Sequence, residues 1–340
     1  MLEAAVGLLA GEKAYVVGGT VRDELLGRPI VDLDIACPKP EDAARRYADA
    51  HGAPAFPLSA AHGSWRVALP GGRTVDFTPL TGPIEDDLAT RDFTINAVAR
   101  PLQGGGHVDP FGGRDDLEAR IVRAVGVGVF EADPLRLLRA VRFEDELGFS
   151  VERRTERLIR EQARLVTRPS GERILEVLLR LEVAGWRRLD ELGLLQPLGG
   201  SLELVDRAEA VDTGEYRLAV FLRDSLGLLP ISRELRRYAV ALLRSAPPPD
   251  GSARALHRFR RATEPWALEA LAFHGRQDLA GALEEARLHD PGGPLVRGDE
   301  LGLPPGPEIG RLLELIAEER ASGTISTREE ALELARRHAR

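Results

Sequence analysis

Cysteine, lysine and methionine are nearly missing from this chain of 340 residues. Cys37 is the one cysteine, Lys13 and Lys39 are the only lysines, and Met1 is the one methionine. A single thiol excludes a disulfide framework and a cysteine-based zinc site. No run of about 18 uninterrupted apolar residues occurs, so nothing reads as a membrane-spanning helix. The start, MLEAAVGLLAGEK, lacks the basic region and long apolar core of a signal peptide, and the chain reads as cytosolic. A net charge of −8 argues against a wholly basic nucleic-acid binder, although a local basic stripe is enough to meet phosphates.

What remains is an ordinary folded composition, 43% hydrophobic and 29% charged, in a chain long enough for two or three domains. Roughly the first 125 residues mix short β-rich runs (AYVV, DLDIA, WRVAL, TVDFT) with a helical stretch, PEDAARRYADAHG, which Gly52 stops. After about residue 130 the apolar spacing is helical, as in DPLRLLRAVRFEDELG, RRTERLIREQARLV and SGERILEVLLRLEVAGWRRLDELG. SAPPPDGSA (245–253) reads as a linker, and 289–310 as a second irregular stretch. The expected architecture is a small α/β head followed by an all-helical remainder.

The segment VVGGTVRDELLGRPIVDLDIA (16–36) sets the chemical problem. Side chains two apart on a strand share a face, so Asp32 and Asp34 point the same way from a run flanked by Ile30, Val31, Leu33 and Ile35, which reads as buried. Asp76 lies in a second strand-like run, RTVDFTPL. If the two strands are neighbours, three carboxylates converge and repel unless cations fill the space between them. Oxygen donors in small number suit Mg²⁺, and two such ions can serve both the attacking hydroxyl and a leaving pyrophosphate. Gly18 and Gly19 follow the strand AYVV and open a helix, where backbone N–H groups and Arg22 can hold phosphate.

This combination resembles the class II tRNA nucleotidyltransferase and bacterial poly(A) polymerase family, within the polymerase-β-like nucleotidyltransferases. The resemblance runs through residues 16–36, DDLATRDFTINAVA (86–99), HVDPFGGRDDLEARIVR (107–123), EADPLRLLRAVRF (131–143) and PSGERILEVLLRLE (169–182), in the family's order. It implies an α/β nucleotidyltransferase head over 1–125, a base-reading neck over 126–185, a helical body over 186–250 and an RNA-binding helical tail over 251–340. It also implies that Asp32 and Asp34 hold two Mg²⁺ ions, that Asp76 is the third catalytic carboxylate, and that Gly18, Gly19 and Arg22 take the triphosphate. Arg91, Asp92 and Asn96 would contact the sugar and phosphates, with Arg139 and Arg142 among the nucleotide-binding residues. Thr90 stands where the family often has a second arginine. Asp109 and Asp116 would fix the connection between head and neck.

In DPLRLLRAVRF, Asp133 before Pro134 fits a helix start, and Asp133 and Arg136, three apart, would share one helix face. An Asp only accepts hydrogen bonds and an Arg only donates, which matches the amino-plus-ring-nitrogen edge of cytosine or adenine. Uracil and guanine present the reverse order, at a cost of about 1–3 kcal/mol for each mismatched buried group. The family's glutamate before this aspartate is replaced by Ala132. The resemblance further implies CTP, and ATP if a terminal A is added, as substrates, with tRNA as the acceptor. Poly(A) polymerases of the family often carry strongly basic extensions, whereas this chain is acidic. A noncatalytic RNA-binding relative is the other alternative, against which the intact Asp32, Asp34 and Asp76 speak. RALHRFRRA (254–262) places Arg254, Arg258 and Arg261 close together as a candidate RNA-contacting stripe. His289 and Asp290 adjoin without a second such pair, so no metal phosphohydrolase domain is expected. Finally, only TPLTGPIE separates VDF from DDLATRDF, where many CCA-adding and A-adding relatives carry a much longer flexible loop linked to the switch from C to A. The expectation is strong CC addition with poor or absent terminal A addition.

Overall fold

A computed structural model describes residues 1–59, 63–288 and 293–339. The chain divides into two compact units, Met1–Leu198 and Gly199–Arg340. This division coincides with none of the expected boundaries near 125, 185 and 250.

The first unit opens with α1 (Leu2–Leu8), β1 (Tyr15–Val17), α2 (Gly19–Leu25), β2 (Asp32–Cys37) and α3 (Pro40–His51). Then come β3 (Ala55–Ser59), β4 (Ser64–Ala68), β5 (Thr74–Pro79), α4 (Ile84–Ala89) and β6 (Ala99–Pro101). The strands form one sheet in the order β3-β4-β5-β2-β1-β6, in which only the β2–β5 pair is parallel. Period-2 alternation does the sorting. Leu33, Ile35, Val75 and Phe77 are buried in one core with Leu9 of the N-terminal segment and Tyr47 of α3, so Asp32, Asp34 and Asp76 emerge on the opposite face. α3 forms as its sequence dictates. Pro40 starts it, Glu41 and Asp42 occupy its positive first turn, and Gly52 ends it in the left-handed conformation.

The unit continues with α5 (Gly113–Ala119), β7 (Ile121–Val122), α6 (Val129–Ala132), α7 (Arg136–Leu147) and β8 (Ser150–Val151), with β7 and β8 paired in parallel. It closes with α8 (Arg153–Gln162), α9 (Gly171–Leu178) and α10 (Val183–Glu191). Asp109 accepts from the backbone N–H groups of Gly113 (2.7 Å) and Arg114 (2.9 Å), capping α5. Asp116 accepts from Thr94 Oγ1 (2.6 Å) and Arg123 Nε (2.9 Å), tying the 3-10 turn at Thr94–Asn96 to the strand β7 and its exit.

The second unit comprises α11 (Gly214–Leu222), α12 (Arg233–Leu243), α13 (Ala253–Thr263), α14 (Ala267–Phe273), α15 (Ala280–Leu288), α16 (Pro307–Ala321) and α17 (Arg328–His338). The stretch read as a linker, 245–253, is instead a connection inside this unit. Ser245 Oγ lies 2.9 Å from His274 Nε2, and Arg276 donates to the carbonyl of Pro248. Proline and glycine break the helix there without ending the packed unit. No helix among the described residues is long and apolar enough to cross a membrane. His289 and Asp290 lie outside the described residues.

Candidate active site

A cavity of about 1010 Å³ in the first unit is lined by every residue expected above to serve catalysis or nucleotide binding, from Gly18 to Arg142, while Asp109 and Asp116 lie outside it. Its floor is the open face of β2 and β5. Their register sets Asp34 directly opposite Asp76, so the two strands are neighbours and the acids share a face, as the spacing requires. Burial lifts the Asp34 carboxyl to a pKa of about 6, and the charges of Asp76 and Asp32 add to the rise while Arg91 and Arg66 oppose it. Two expectations need correction. Asp32 is exposed rather than buried, because it is the first residue of β2, and Val31 before it is 50% exposed; Asp32 instead accepts from Thr74 Oγ1 at 2.7 Å. Asp76 does not join a three-carboxylate cage, because Arg66 on the adjacent antiparallel strand grips both its oxygens at 2.7 Å. Among the described residues no three acidic, histidine or cysteine side chains gather as a complete metal site.

The turn from β1 into α2 forms the second wall. Gly18 has φ +65°, and a Cβ there would stand 2.9 Å from Arg91 Nη1 and 3.3 Å from Asp34 Oδ2. The positive φ favours glycine there, whereas the atoms a Cβ would meet are side-chain ends able to shift. A Cβ on Gly19 would sit between Arg22 and Asp34, so that position also keeps the backbone open toward the cavity. Arg22 is 8% exposed, grips Asp23 with Nε and Nη2 at 3.0 Å, and donates from Nη1 to Asn96 Oδ1 at 2.9 Å. Thr20 Oγ1 donates to the Asp32 carbonyl and accepts from Asp34 N–H, fastening α2 to β2.

Arg91, Asp92 and Asn96 form the third wall. Arg91 is held by Asp87 (2.8 Å). Asp92, 5% exposed, uses one oxygen for Phe93 N–H and Asn96 Nδ2 and the other for Arg139 at 2.6 Å. Burial alone would raise its pKa, but the Arg139 charge and these hydrogen bonds outweigh it and hold Asp92 below the usual carboxylate range. Asp92 thus joins the head to α7.

The fourth wall changes the expected base-reading edge. Asp133 has extended backbone between α6 and α7 and lies outside α7, so it and Arg136 are not successive positions on one helix face. Asp133 does accept from Leu135 N–H (3.2 Å), consistent with a helix start, but both its oxygens face Arg173 of α9, at 2.8 and 3.2 Å. Arg136 donates to the carbonyls of Thr90 (2.7 Å), Arg91 and Val129. Each residue keeps spare capacity: one acceptor site on Asp133, and Nε–H plus one Nη2–H on Arg136. Ala132, just before the clamped aspartate, is the last residue of α6.

Further along α7 the cations crowd. Arg22, Arg139 and Arg142 stack around the Phe143 ring at 5.0–5.2 Å from its centroid. Burial pulls the Arg142 pKa down to about 10, helped by the charges of Arg139, Arg180 and Arg22. Its ion pair with Glu146 is loose at 3.9 Å, and its buried Nε has no hydrogen-bond partner. Such a site invites an anion. Arg66, Phe143, Arg173 and Arg180 were missed as cavity residues by reading motifs one at a time. Arg173 and Arg180 sit inside the quoted PSGERILEVLLRLE, where their positive charge was the available signal.

The candidate RNA stripe of α13 is not a free cationic face. Arg258 pairs with Glu318 (2.6 Å), Arg254 with Glu319 (2.7 Å), and Arg261 with Glu314 (3.4 Å), all on α16. The packing of α16 against α13 supplies a glutamate for each arginine.

Residues 14–69 and 71–123 match the sequence model of the poly(A) polymerase head domain. The CC-adding tRNA nucleotidyltransferase of Geobacter sulfurreducens is 33% identical, over 97% of this chain and 93% of that protein. The A-adding tRNA nucleotidyltransferase of Deinococcus radiodurans is 32% identical, over 94% of each. Among solved structures, the Bacillus stearothermophilus CCA-adding enzyme in complex with CTP superposes with a TM-score of 0.75 at 28% identity, covering 99% of this chain and 96% of that one. Likeness of that extent, in sequence and in fold, places the chain in the family of tRNA nucleotidyltransferases and poly(A) polymerases, and it belongs to that family.

Proposed function

We propose that this protein adds two C residues to the 3′ end of tRNA from CTP, without a template, and releases pyrophosphate. Identity does not separate C from A addition, since the CC-adding and A-adding relatives stand at 33% and 32%. The observation that carries the choice is the connection from β5 to α4. It consists of Leu80–Pro83, with Leu80 buried and Pro79 and Pro83 at its ends, and so has no length to swing over the cavity. A pocket that reads C must be reshaped to admit a purine, and a mobile loop is a natural lever for that. Here the lever is absent from the described residues.

Asp32 and Asp34 would hold two Mg²⁺ ions. The fit rests on oxygen donors on one open sheet face and on the cost of a charged Asp34 carboxylate, raised first by its burial and then by the nearby charges of Asp76 and Asp32. Bound there, the ions supply positive charge at the attacking 3′-hydroxyl and at the departing pyrophosphate. The chain's own groups do the rest. Arg66 fixes Asp76 beside Asp34 by gripping both its oxygens. Gly18 and Gly19 let phosphate approach the backbone, while Arg22, Arg91, Arg139 and Arg142 surround the triphosphate with donors. Asn96 positions Arg22, Asp92 positions Arg139 and Asp87 positions Arg91. Arg136 and the clamped Asp133 read the base edge with the donors and acceptor left to them. Residues 1–125 carry the transfer chemistry, 126–185 the base reading, and 186–250 and 251–340 serve as body and tail.

The test offers tRNA lacking CCA with CTP, ATP or both, and sizes the products. Addition of two C and no A is expected. Efficient conversion of a tRNA ending in CC to CCA overturns the CC-only reading, and incorporation that proceeds without any divalent cation overturns the assignment of Asp32 and Asp34.

A further inference from the structure

A second set of arginines lies away from the cavity. Arg153, Arg157, Arg160 and Arg164 recur at four-, three- and four-residue spacing, which places them along one face of α8 and its 3-10 continuation, and Arg168 follows. All five are exposed. Arg160 is bound to Glu156 and to the Glu191 carbonyl, whereas no ion pair or hydrogen bond engages the side chains of Arg153, Arg157, Arg164 or Arg168 among the described residues. Two acids of this stretch are otherwise occupied, since Glu152 caps Thr155 and Glu156 binds Arg160 and Arg188, while Glu161 and Glu172 are exposed. The opposite face is rigidly seated. Ile159 is buried, and Thr155 Oγ1 accepts from Ala124 N–H at 3.0 Å. Three uncompensated cations within roughly 15–20 Å, with Arg168 beyond them, are unusual in a chain of net charge −8, and they complement a polyanion with regularly spaced phosphates.

We propose that this face of α8, continued by Arg168, holds the sugar–phosphate backbone of the tRNA acceptor. Arg168 lies only five residues before Arg173, which lines the cavity where the 3′ end must react. The inference rests on tRNA being the substrate, as proposed above.

The test measures tRNA binding to the full chain without nucleotide, across a salt series. Replacing Arg153, Arg157, Arg164 and Arg168 together by alanine should flatten the slope of log Kd against log salt by about 0.7–1 per arginine. Kd at moderate salt should weaken on the order of tenfold or more, with CTP binding and the melting temperature unchanged. The fourfold lysine variant should keep the wild-type slope, since it keeps the charges. An unchanged slope in the alanine variant overturns the proposal, as does a loss equally large in the lysine variant. Because no nucleotide is present, a chain that adds A instead of C leaves this result standing. A wild-type chain without salt-dependent tRNA binding overturns the substrate reading itself.

Discussion

On α13, Arg254, Arg258 and Arg261 each lie 2.6–3.4 Å from a glutamate of α16. Along α7, Arg139 alone takes the carboxylate of Asp92, Arg139 and Arg142 lie over the ring of Phe143, Arg136 meets only backbone carbonyls, and the pKa of Arg142 falls to about 10. Both helices read in sequence as basic amphipathic segments. The difference lies in the facing element. A helix opposite a glutamate row makes an internal ion-pair seam of small net worth, while a helix opposite another arginine leaves positive potential waiting for a ligand. Counting arginines therefore locates neither site; counting arginines against the acids that face them does.

Four substitutions break or sharpen this contrast. The largest effect belongs to the acidic floor that the cavity's cations oppose. Asp34→Asn should lower incorporation by about 10³-fold or more, in line with loss of a group acting at the reacting centre. The same variant should fold more stably without divalent cations at pH 8. Asp34 takes up its proton near pH 6 in the folded chain and near 3.8 when unfolded, so folding carries the full penalty above pH 6 and none below 3.8. The gain should be on the order of 2 kcal/mol at pH 8 and should vanish toward pH 4. A pH-independent difference would show that Asp34 is not under strain.

Next in size is Arg142→Ala, which should raise KM for CTP on the order of 10- to 100-fold by removing an unsatisfied cation from the anion site. Its melting temperature should not fall correspondingly, because few native partners are lost. A large loss of stability with normal KM would make Arg142 a structural residue. Arg173→Ala should act more narrowly. Asp133 loses its clamp, and the ratio of kcat/KM for CTP over UTP should drop on the order of tenfold, while triphosphate affinity stays. Undiminished selectivity would assign base reading elsewhere. Arg258→Ala is the smallest, with an expected shift of about one degree in melting temperature and no change in CTP kinetics. If it matched Arg142→Ala in effect, the distinction between the two helices would fail.

The parts legible in sequence are those fixed by local geometry. The glycine pair announces the tight junction between β1 and α2, alternation puts Asp32, Asp34 and Asp76 on one face, and Pro40 and Gly52 bracket α3. What escaped depends on partners distant in the chain. Arg66 reaches Asp76 only because β4 lies beside β5, Arg173 reaches Asp133 across forty positions, and Glu318 faces Arg258 across sixty. Helix spacing misled at Asp133, where the break between α6 and α7 interrupts the period that the sequence pattern assumes.

The register of β2 against β5 also guards the folding of the head against error. Slipping Asp34 by one place would rotate every side chain of its strand to the other face. Leu33 and Ile35 would then meet water, and two carboxylates would be driven beneath Tyr47 and α3. A misaligned head is thus expelled by its own charges before it can pack. The residues that make the assembled protein difficult to stabilise are the ones that make a wrongly assembled one short-lived.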